Sequence, residues 1–448
     1  MNPFDKLRPY QPGHAARLLG ILNRRGAALD KSETGCGKTH VALALAKALD
    51  TVPIVIGPKA SRMGWEDAGK VQGVDFEFVN YELARAVRGE AGEKRARSEW
   101  LEEHPHGKGS YIKWKNAYDL MIFDEVHRCA SVTPTLNRKM LIGAKRQAGK
   151  VLMLSATVAE NPLQLCAPGF ALGLHTLSKP SHIGKTTWMD FLWRYGVKPG
   201  VFGGFEWTED EAEQRKFMLK LNERMADRSS GIKKADVPGF PKNQLEVMLL
   251  KDETGKAKEL TERLHEIYSM RKQQAVGAKD SPLVAGIREG QALEVLMIPS
   301  LVGLAEDYIQ TSRVVFFVSY TQTREELCRA LDQAGIFCDY IDGTQTEEHR
   351  RRALRNFAAD GISALVVNKY AGGESLNLQG KMPRTTFITP VDSGRQAIQI
   401  TGRAHRDGGA DALQFFTYFA GTRQEEVAER MRQKQMNLKL LNDGDLIY

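Results

Sequence analysis

The string Ser32-Glu33-Thr34-Gly35-Cys36-Gly37-Lys38-Thr39 stands between a turn and an apolar helical run, 41–49, and it narrows what the surrounding chain can be more than any other feature. Glycines at this spacing let successive backbone N–H groups point inward. A Lys-Thr pair at a helix start then places an ammonium and a hydroxyl where a triphosphate and its cation would lie. Thr34, Gly35, Cys36 and Gly37 are therefore read as an ATP cradle, Lys38 as the group reaching the β and γ phosphates, and Thr39 as a Mg2+ ligand. Ser32 occupies the position where the full Walker pattern carries glycine, so the match is to Gly-Lys-Thr with Thr34-Gly35.

A second site strengthens that reading. Residues 118–123 form an apolar run of strand length, closed by Asp124, Glu125, Val126 and His127. Two adjacent carboxylates at the C-terminal end of a buried parallel strand lie in the crevice where such sheets bind ligands. One can hold the Mg2+ shell while its neighbour orients or deprotonates the attacking water. Asp124 is assigned to magnesium and Glu125 to the water. A solvated charge pair ending a strand is the plain alternative, and the Gly-Lys-Thr loop upstream argues against it.

At 448 residues the chain can hold two or three domains, and 42% apolar with 26% charged residues is the composition of an ordinary globular protein. Its five cysteines (positions 36, 129, 166, 328 and 338) form no Cys-x-x-Cys pair, which points to a reducing compartment without structural zinc. With no cleavable signal and no long uncharged apolar run, neither secretion nor membrane spanning is expected; a cytoplasmic site is, or a nuclear one in a eukaryote. A net charge of +8 and a pI near 9.1 suit a polyanionic partner.

From position 29 to 157 helix-like and strand-like segments alternate, with strands at 53–56 and 151–154, the rhythm of a doubly wound parallel sheet. A second such rhythm begins at 313: strands at 314–318, 337–341, 364–367, 386–388 and 414–419, with helices around 325–334 and 350–359. Two α/β units imply two lobes. The division expected is 1–178 for the first lobe, 179–240 for an aromatic, helical protrusion and linker, and 241–448 for the second lobe, with a helical insertion at about 251–311.

In the second unit the string Gln399-Ile400-Thr401-Gly402-Arg403-Ala404-His405-Arg406 carries two arginines three apart, which on a helix share a face. Opposite a bound triphosphate they would act as arginine fingers on the γ-phosphoryl group. A helix of surface arginines is the alternative. The loop Ala371-Gly372-Gly373-Glu374-Ser375-Leu376-Asn377-Leu378 follows a buried strand, and its paired glycines allow close backbone approach to a nucleotide or a phosphodiester. Gly373 and Glu374 are assigned to the nucleotide.

Taken in order, these strings resemble superfamily-two helicases, and among them the SWI/SNF-like DNA translocases, over nearly the whole chain. Leu7-Arg8-Pro9-Tyr10-Gln11 resembles the family's opening motif, which implies that Gln11 reads adenine. Gly35 to Thr39, Pro58, Asn80-Tyr81-Glu82, Asp124 to His127 (a DExH-type string) and Ser155-Ala156-Thr157 are similar to the motifs that follow. Arg228, Lys233-Lys234 and Pro241-Lys242 are similar to the family's basic linker, Gly372-Gly373 with Leu376-Asn377-Leu378 to motif V, and the Arg-x-His-Arg-x-Gly spacing ending at Gly408 to motif VI. The resemblance implies an α/β fold of two RecA-like, P-loop NTPase lobes with helical insertions. It also implies Mg2+ and ATP as cofactors, hydrolysis between the lobes, and tracking along duplex or branched DNA. The departures at Ser32-Glu33, Glu374-Ser375 and Gly409 remove no catalytic group but weaken any assignment to chromatin remodelling, and the lack of room for a histone-reading or targeting domain favours a compact bacterial or phage enzyme.

By the same resemblance Lys59, Arg62, Lys369 and Asn377 are expected against the nucleic-acid backbone, and His127 is expected to relay through Gln399. The charged segment 85–115 reads as a solvated helical insert or a DNA-facing one. The aromatics at 188, 191, 193, 195, 202, 205 and 207 read as a small core or as a stacking surface. The expectation is an ATP-dependent DNA translocase or helicase with no membrane association and an unknown protein partner. The alternatives are a fork-regressing or branch-migrating helicase, an RNA helicase, and a scaffold with an inert ATP site.

Overall fold

The computed structural model describes residues 2–85, 98–106, 109–177, 186–200, 203–273, 282–372 and 376–444. The chain divides into two compact units, residues 1–238 together with 436–448, and residues 239–435. The segment 179–240, expected as a separate protrusion and linker, thus falls almost entirely in the first unit, and so does the C-terminal end expected in the second lobe.

The strands of the first unit are β1 (Ala27–Asp30), β2 (Ile54–Gly57), β3 (Glu77–Asn80), β4 (Leu101–His106), β5 (Gly109–Trp114), β6 (Leu120–Asp124), β7 (Lys150–Leu154), β8 (Val197–Pro199), β9 (Phe205–Trp207) and β10 (Ser229–Ser230). Parallel pairing orders the main sheet β10-β1-β7-β6-β2-β3. Such a sheet is covered on both faces, so its strands are apolar at every position rather than at every second one. In β7, Val151 and Met153 enter one apolar cluster while Leu152 and Leu154 enter the other. The helix Lys38–Ala48 buries Val41 to Ala46 on the second face, which explains its nearly unbroken apolar run.

The helical insert expected over 85–115 is a correction. Where described, the segment is an antiparallel hairpin of β4 and β5, with Leu101 opposite Trp114. Leu101, Ile112 and Trp114 point inward, Tyr111 outward, and the Trp114 indole donates to Met140 O at 3.1 Å. Alternation with period two decided the element, and the mixed charges occupy its solvent side. Residues 86–97, 107 and 108 lie outside the described residues.

Most of the aromatic cluster packs, not as a separate small core, but as part of the core of the first unit that also holds Ile54, Phe123 and Met153. Phe191 and Tyr195 are buried, and the Trp188 and Phe191 rings stack with centroids 5.5 Å apart. Trp193 and Phe205 stay exposed, and Phe202 lies outside the described residues. The end of the helix Arg423–Asp443 completes this unit: Leu440 and Leu441 are fully buried in the cluster that holds Phe191 and Met218. Asn222 donates to Leu441 O at 2.7 Å, and the Asn442 amide donates to Ala156 O.

The second unit contains β11 (Asn243–Leu250), β12 (Arg313–Val318), β13 (Cys338–Ile341), β14 (Ala364–Asn368), β15 (Arg384–Ile388) and β16 (Ala412–Phe419), all parallel in the order β11-β16-β15-β12-β14-β13. Val315 and Phe317 of β12 enter one cluster and Val314, Phe316 and Val318 the other. The insertion is helical, Lys256–Gln273 and Pro282–Leu296, and Pro299 stands in the first turn of the next helix, Ile298–Tyr308, where a missing N–H costs nothing. Leu260 packs on the core; the side chains of Leu264, Ile267 and Met270 lie outside the described residues. The fold is therefore α/β, with two RecA-like lobes and helical insertions.

Candidate active site

In the first lobe the expected residues gather at the carboxyl ends of β1 and β6. Gly35 and Gly37 adopt φ of 88° and 80°, backbone that favours glycine, and Gly37 leads directly into the helix Lys38–Ala48. The Lys38 ammonium donates to Ser32 O at 2.8 Å and Glu33 O at 3.1 Å, so it is held at the loop. Thr39 follows in the first turn.

Gln11 is only 2% exposed and belongs to the loop's support. Its amide N donates to Cys36 O at 2.9 Å, and its amide O accepts from Arg8 N at 2.9 Å. A Cβ on Gly37 would stand 2.3 Å from that amide N, so the close approach needs glycine there. In this structure the Gln11 amide clasps the loop 34–37 at Cys36.

Asp124 ends β6 and Glu125 follows at a φ of 51°. Burial, with the charge of Glu125 adding to it, pushes the Asp124 carboxyl up to about 6, against the opposing pull of the Trp65 hydrogen bond and of Lys38. Trp65 donates from its indole N to Asp124 Oδ2 at 2.9 Å, and the Tyr81 hydroxyl donates to Asp124 O at 2.9 Å. Neither anchor was foreseen. Trp65 could have been noticed as the first tryptophan of the chain, set at an inward position of the helix Arg62–Gln72. A half-buried carboxylate pair, whose Asp124 member resists its own charge, is a donor set suited to a divalent cation, and the ammonium and glycine-bearing loop suit a triphosphate. The residues present fit Mg2+ and ATP.

His127 lies 3.2 Å from Glu125 Oε2 and 3.4 Å from Ser155 Oγ through the same Nδ1, and Ser155 Oγ accepts from Thr157 N at 3.1 Å. Within this lobe His127 therefore ties the carboxylate pair to Ser155-Ala156-Thr157. Lys59 and Arg62 are exposed just past β2, and Arg62 pairs with Glu66 at 2.9 Å.

In the second lobe two expectations need correction. The helix Gly394–Ala404 carries Gln399 and Arg403, both buried, but it stops before Arg406. His405 is extended and Gly408 has a φ of 81°, so the two arginines do not share a helical face. Arg406 instead folds back, donating to Gly402 O at 3.2 Å and to the Asn377 side-chain oxygen. Asn377 is thereby joined to Arg406 while remaining exposed.

Lys369, expected on the nucleic-acid backbone, has no exposed surface. Its ammonium donates to Ser319 Oγ at 2.8 Å, to Pro390 O at 3.2 Å and to Thr389 Oγ1, and pairs with Glu294 at 3.5 Å. Both Glu294 oxygens accept from Ser319 N, at 3.0 and 2.9 Å. Burial pushes Lys369 down to about 8 although Glu294 opposes it. A phosphate outside could not reach this group. Gly373 and Glu374 lie outside the described residues.

Residues 297–408 match the helicase conserved C-terminal domain. The whole chain is similar to a protein of Acanthamoeba polyphaga mimivirus named provisionally as an ATP-dependent RNA helicase. The two are 28% identical over 473 aligned residues, covering 98% of this chain and 84% of the relative. A shorter similarity, 25% identity over 135 residues, reaches the Mus musculus chromodomain-helicase-DNA-binding protein 1-like, covering 30% of this chain and 15% of that protein. The matched domain and these similarities support a superfamily-two helicase. They imply an ATP-hydrolysing enzyme that binds nucleic acid, and the relatives' names carry RNA in one case and DNA in the other. Among the described residues no helix is long and apolar enough to cross a membrane.

Proposed function

We propose that this chain is an ATP-dependent translocase acting on duplex DNA. The observation that carries the catalytic part is the first-lobe cluster: a loop closing on Lys38, and a half-buried Asp124-Glu125 pair whose Asp124 is close enough to Lys38 to feel its charge. Bound Mg-ATP supplies the scissile phosphoanhydride and its charge-neutralising cation. Lys38 would hold the β and γ phosphates, Thr39 and Asp124 the cation, and Glu125, kept in place by His127, would orient and deprotonate the water. Arg403 and Arg406 are proposed as the second lobe's contribution to stabilising charge on the γ-phosphoryl group, with Gln399 beside Arg403 on the same helical face. Lys59, Arg62 and Asn377, all exposed, remain proposed contacts to the phosphate backbone.

Duplex DNA is favoured by two features that resemble the SWI/SNF-type branch and that pack on one another. His405 of the Arg-x-His-Arg-x-Gly string lies 2.8 Å from Pro241 O of the Pro-Lys linker, and the Phe240 ring meets the His405 ring edge-on at 4.9 Å. A second reading, an RNA helicase, has the near full-length mimivirus similarity behind it.

Steady-state ATPase rates with no nucleic acid, blunt duplex DNA, single-stranded DNA, forked DNA and RNA, with Lys38→Ala as the blank, separate the two. Stimulation by blunt duplex is expected. Stimulation by RNA alone, or no hydrolysis above the blank, overturns the proposal, and a response confined to forks makes it a branch-migrating helicase.

A further inference from the structure

A cavity of about 220 Å³ opens in the first lobe between the helix Pro12–Arg25, the end of β1, β10 with the turn after it, and the tip of the helix Arg423–Asp443. The catalytic groups described above do not line it. Its wall carries three cations, Arg17, Lys31 and Lys233, against one carboxylate, Asp443, and includes Ser229 and Ser230. This volume is below the range that holds drug-sized ligands, so the cavity suits a small anion better than a nucleotide.

We propose that this cavity is a binding site for inorganic phosphate, separate from the phosphate loop. An excess of two positive charges in a partly enclosed space matches a tetrahedral dianion, whose oxygens suit charge-assisted hydrogen bonds from cations. ATP hydrolysis releases phosphate, so the ligand is present whenever the enzyme turns over.

Behind the cavity wall stands a buried polar network. Ser230 Oγ lies 2.9 Å from His14 Nδ1, and His14 Nε2 lies 3.1 Å from Asp30 Oδ2. Asp30 is fully buried; burial would raise its pKa, yet the charge and hydrogen bond of His14, with Lys38 and Ser32, hold it below the ordinary carboxylate range. Asp30 Oδ1 accepts from Ser32 N at 2.9 Å, and Ser32 O accepts from Lys38 at 2.8 Å. A continuous chain of polar contacts therefore joins the cavity wall at Ser230 to the lysine of the phosphate loop. Lys31 itself donates to Asn442 O, and burial pushes it down to about 8, with Asp443 opposing and Lys233 and Arg17 adding to the depression. An anion in the cavity would relieve that crowding of cations.

The test is calorimetric titration of the full chain with inorganic phosphate, on the wild type, Lys38→Ala, Lys31→Met and Arg17→Met. One saturable site is expected in the wild type and in Lys38→Ala, weakened about tenfold or more in Lys31→Met and in Arg17→Met. Arg17 is exposed on its helix, so its variant tests the site even if Lys31→Met fails to fold. Titration with a 5′-phosphorylated oligonucleotide against its 5′-hydroxyl twin separates free phosphate from a nucleic-acid end; no difference is expected, and a preference for the phosphorylated strand overturns free phosphate as the ligand. Absence of saturable binding overturns the proposal, as does binding that Lys38→Ala removes and Lys31→Met retains. The phosphate titration itself needs no turnover and no nucleic acid, so its failure is distinguishable from failure of the translocase reading.

Discussion

Gln11 offers a clean discrimination between two roles. As a clasp it makes two hydrogen bonds in a site that is 2% exposed, to Cys36 O and from Arg8 N. Gln11→Ala removes both and leaves a carbonyl and an N–H without their partner. At about 1 kcal/mol for each bond, and more where the abandoned group is starved of water, the loss is about 2–4 kcal/mol. For domains of this class that lowers the melting temperature by about 5–10 °C. Gln11→Glu refines the test, because a carboxylate still accepts from Arg8 N but cannot donate to Cys36 O. The assay is thermal unfolding without nucleotide, together with kcat/KM for ATP and GTP. A clasp predicts that both variants melt early and that the two nucleotides suffer alike. Unchanged melting with collapse of the ATP-over-GTP preference would refute the clasp in favour of the adenine reader that the resemblance implies.

Lys369→Ala leaves Glu294 buried without its cation, so the second lobe should lose about 3–5 kcal/mol in urea unfolding. The salt dependence of nucleic-acid binding should not change, since no phosphate contact is lost. Cys36 is buried, and that burial raises its thiol to about 11; native protein at pH 7.5 should resist iodoacetamide at this position by mass spectrometry, while urea-unfolded protein reacts. Leu441→Ala should cost about 2–5 kcal/mol and should appear as earlier melting of the first lobe.

Much of this was legible in the sequence because the groups are close along the chain. The phosphate loop and the Asp124-Glu125 pair are local strings, and strands buried on both faces print themselves as unbroken apolar runs, as 314–318 does. What stayed hidden depends on distance or on where an element stops. Lys369 follows a strand as a contact residue would, yet a glutamate 75 positions earlier draws it inside. Arg406 sits at helical spacing from Arg403, but the helix ends two residues before it. Ser230 meets His14 across 216 positions, a pairing no motif announces. The hairpin at 101–114 was legible by its alternation and was obscured by its charge.

The return of the C-terminal helix to the first lobe bears on how the chain is made. Leu440 and Leu441 belong to a core whose other members, Phe191 and Met218 among them, leave the ribosome far earlier. Domains tend to fold as they emerge. Here the first lobe must wait, with part of its apolar face open, until the whole second lobe has been synthesised. The lobe made first therefore reaches its final packing only after the lobe made second exists.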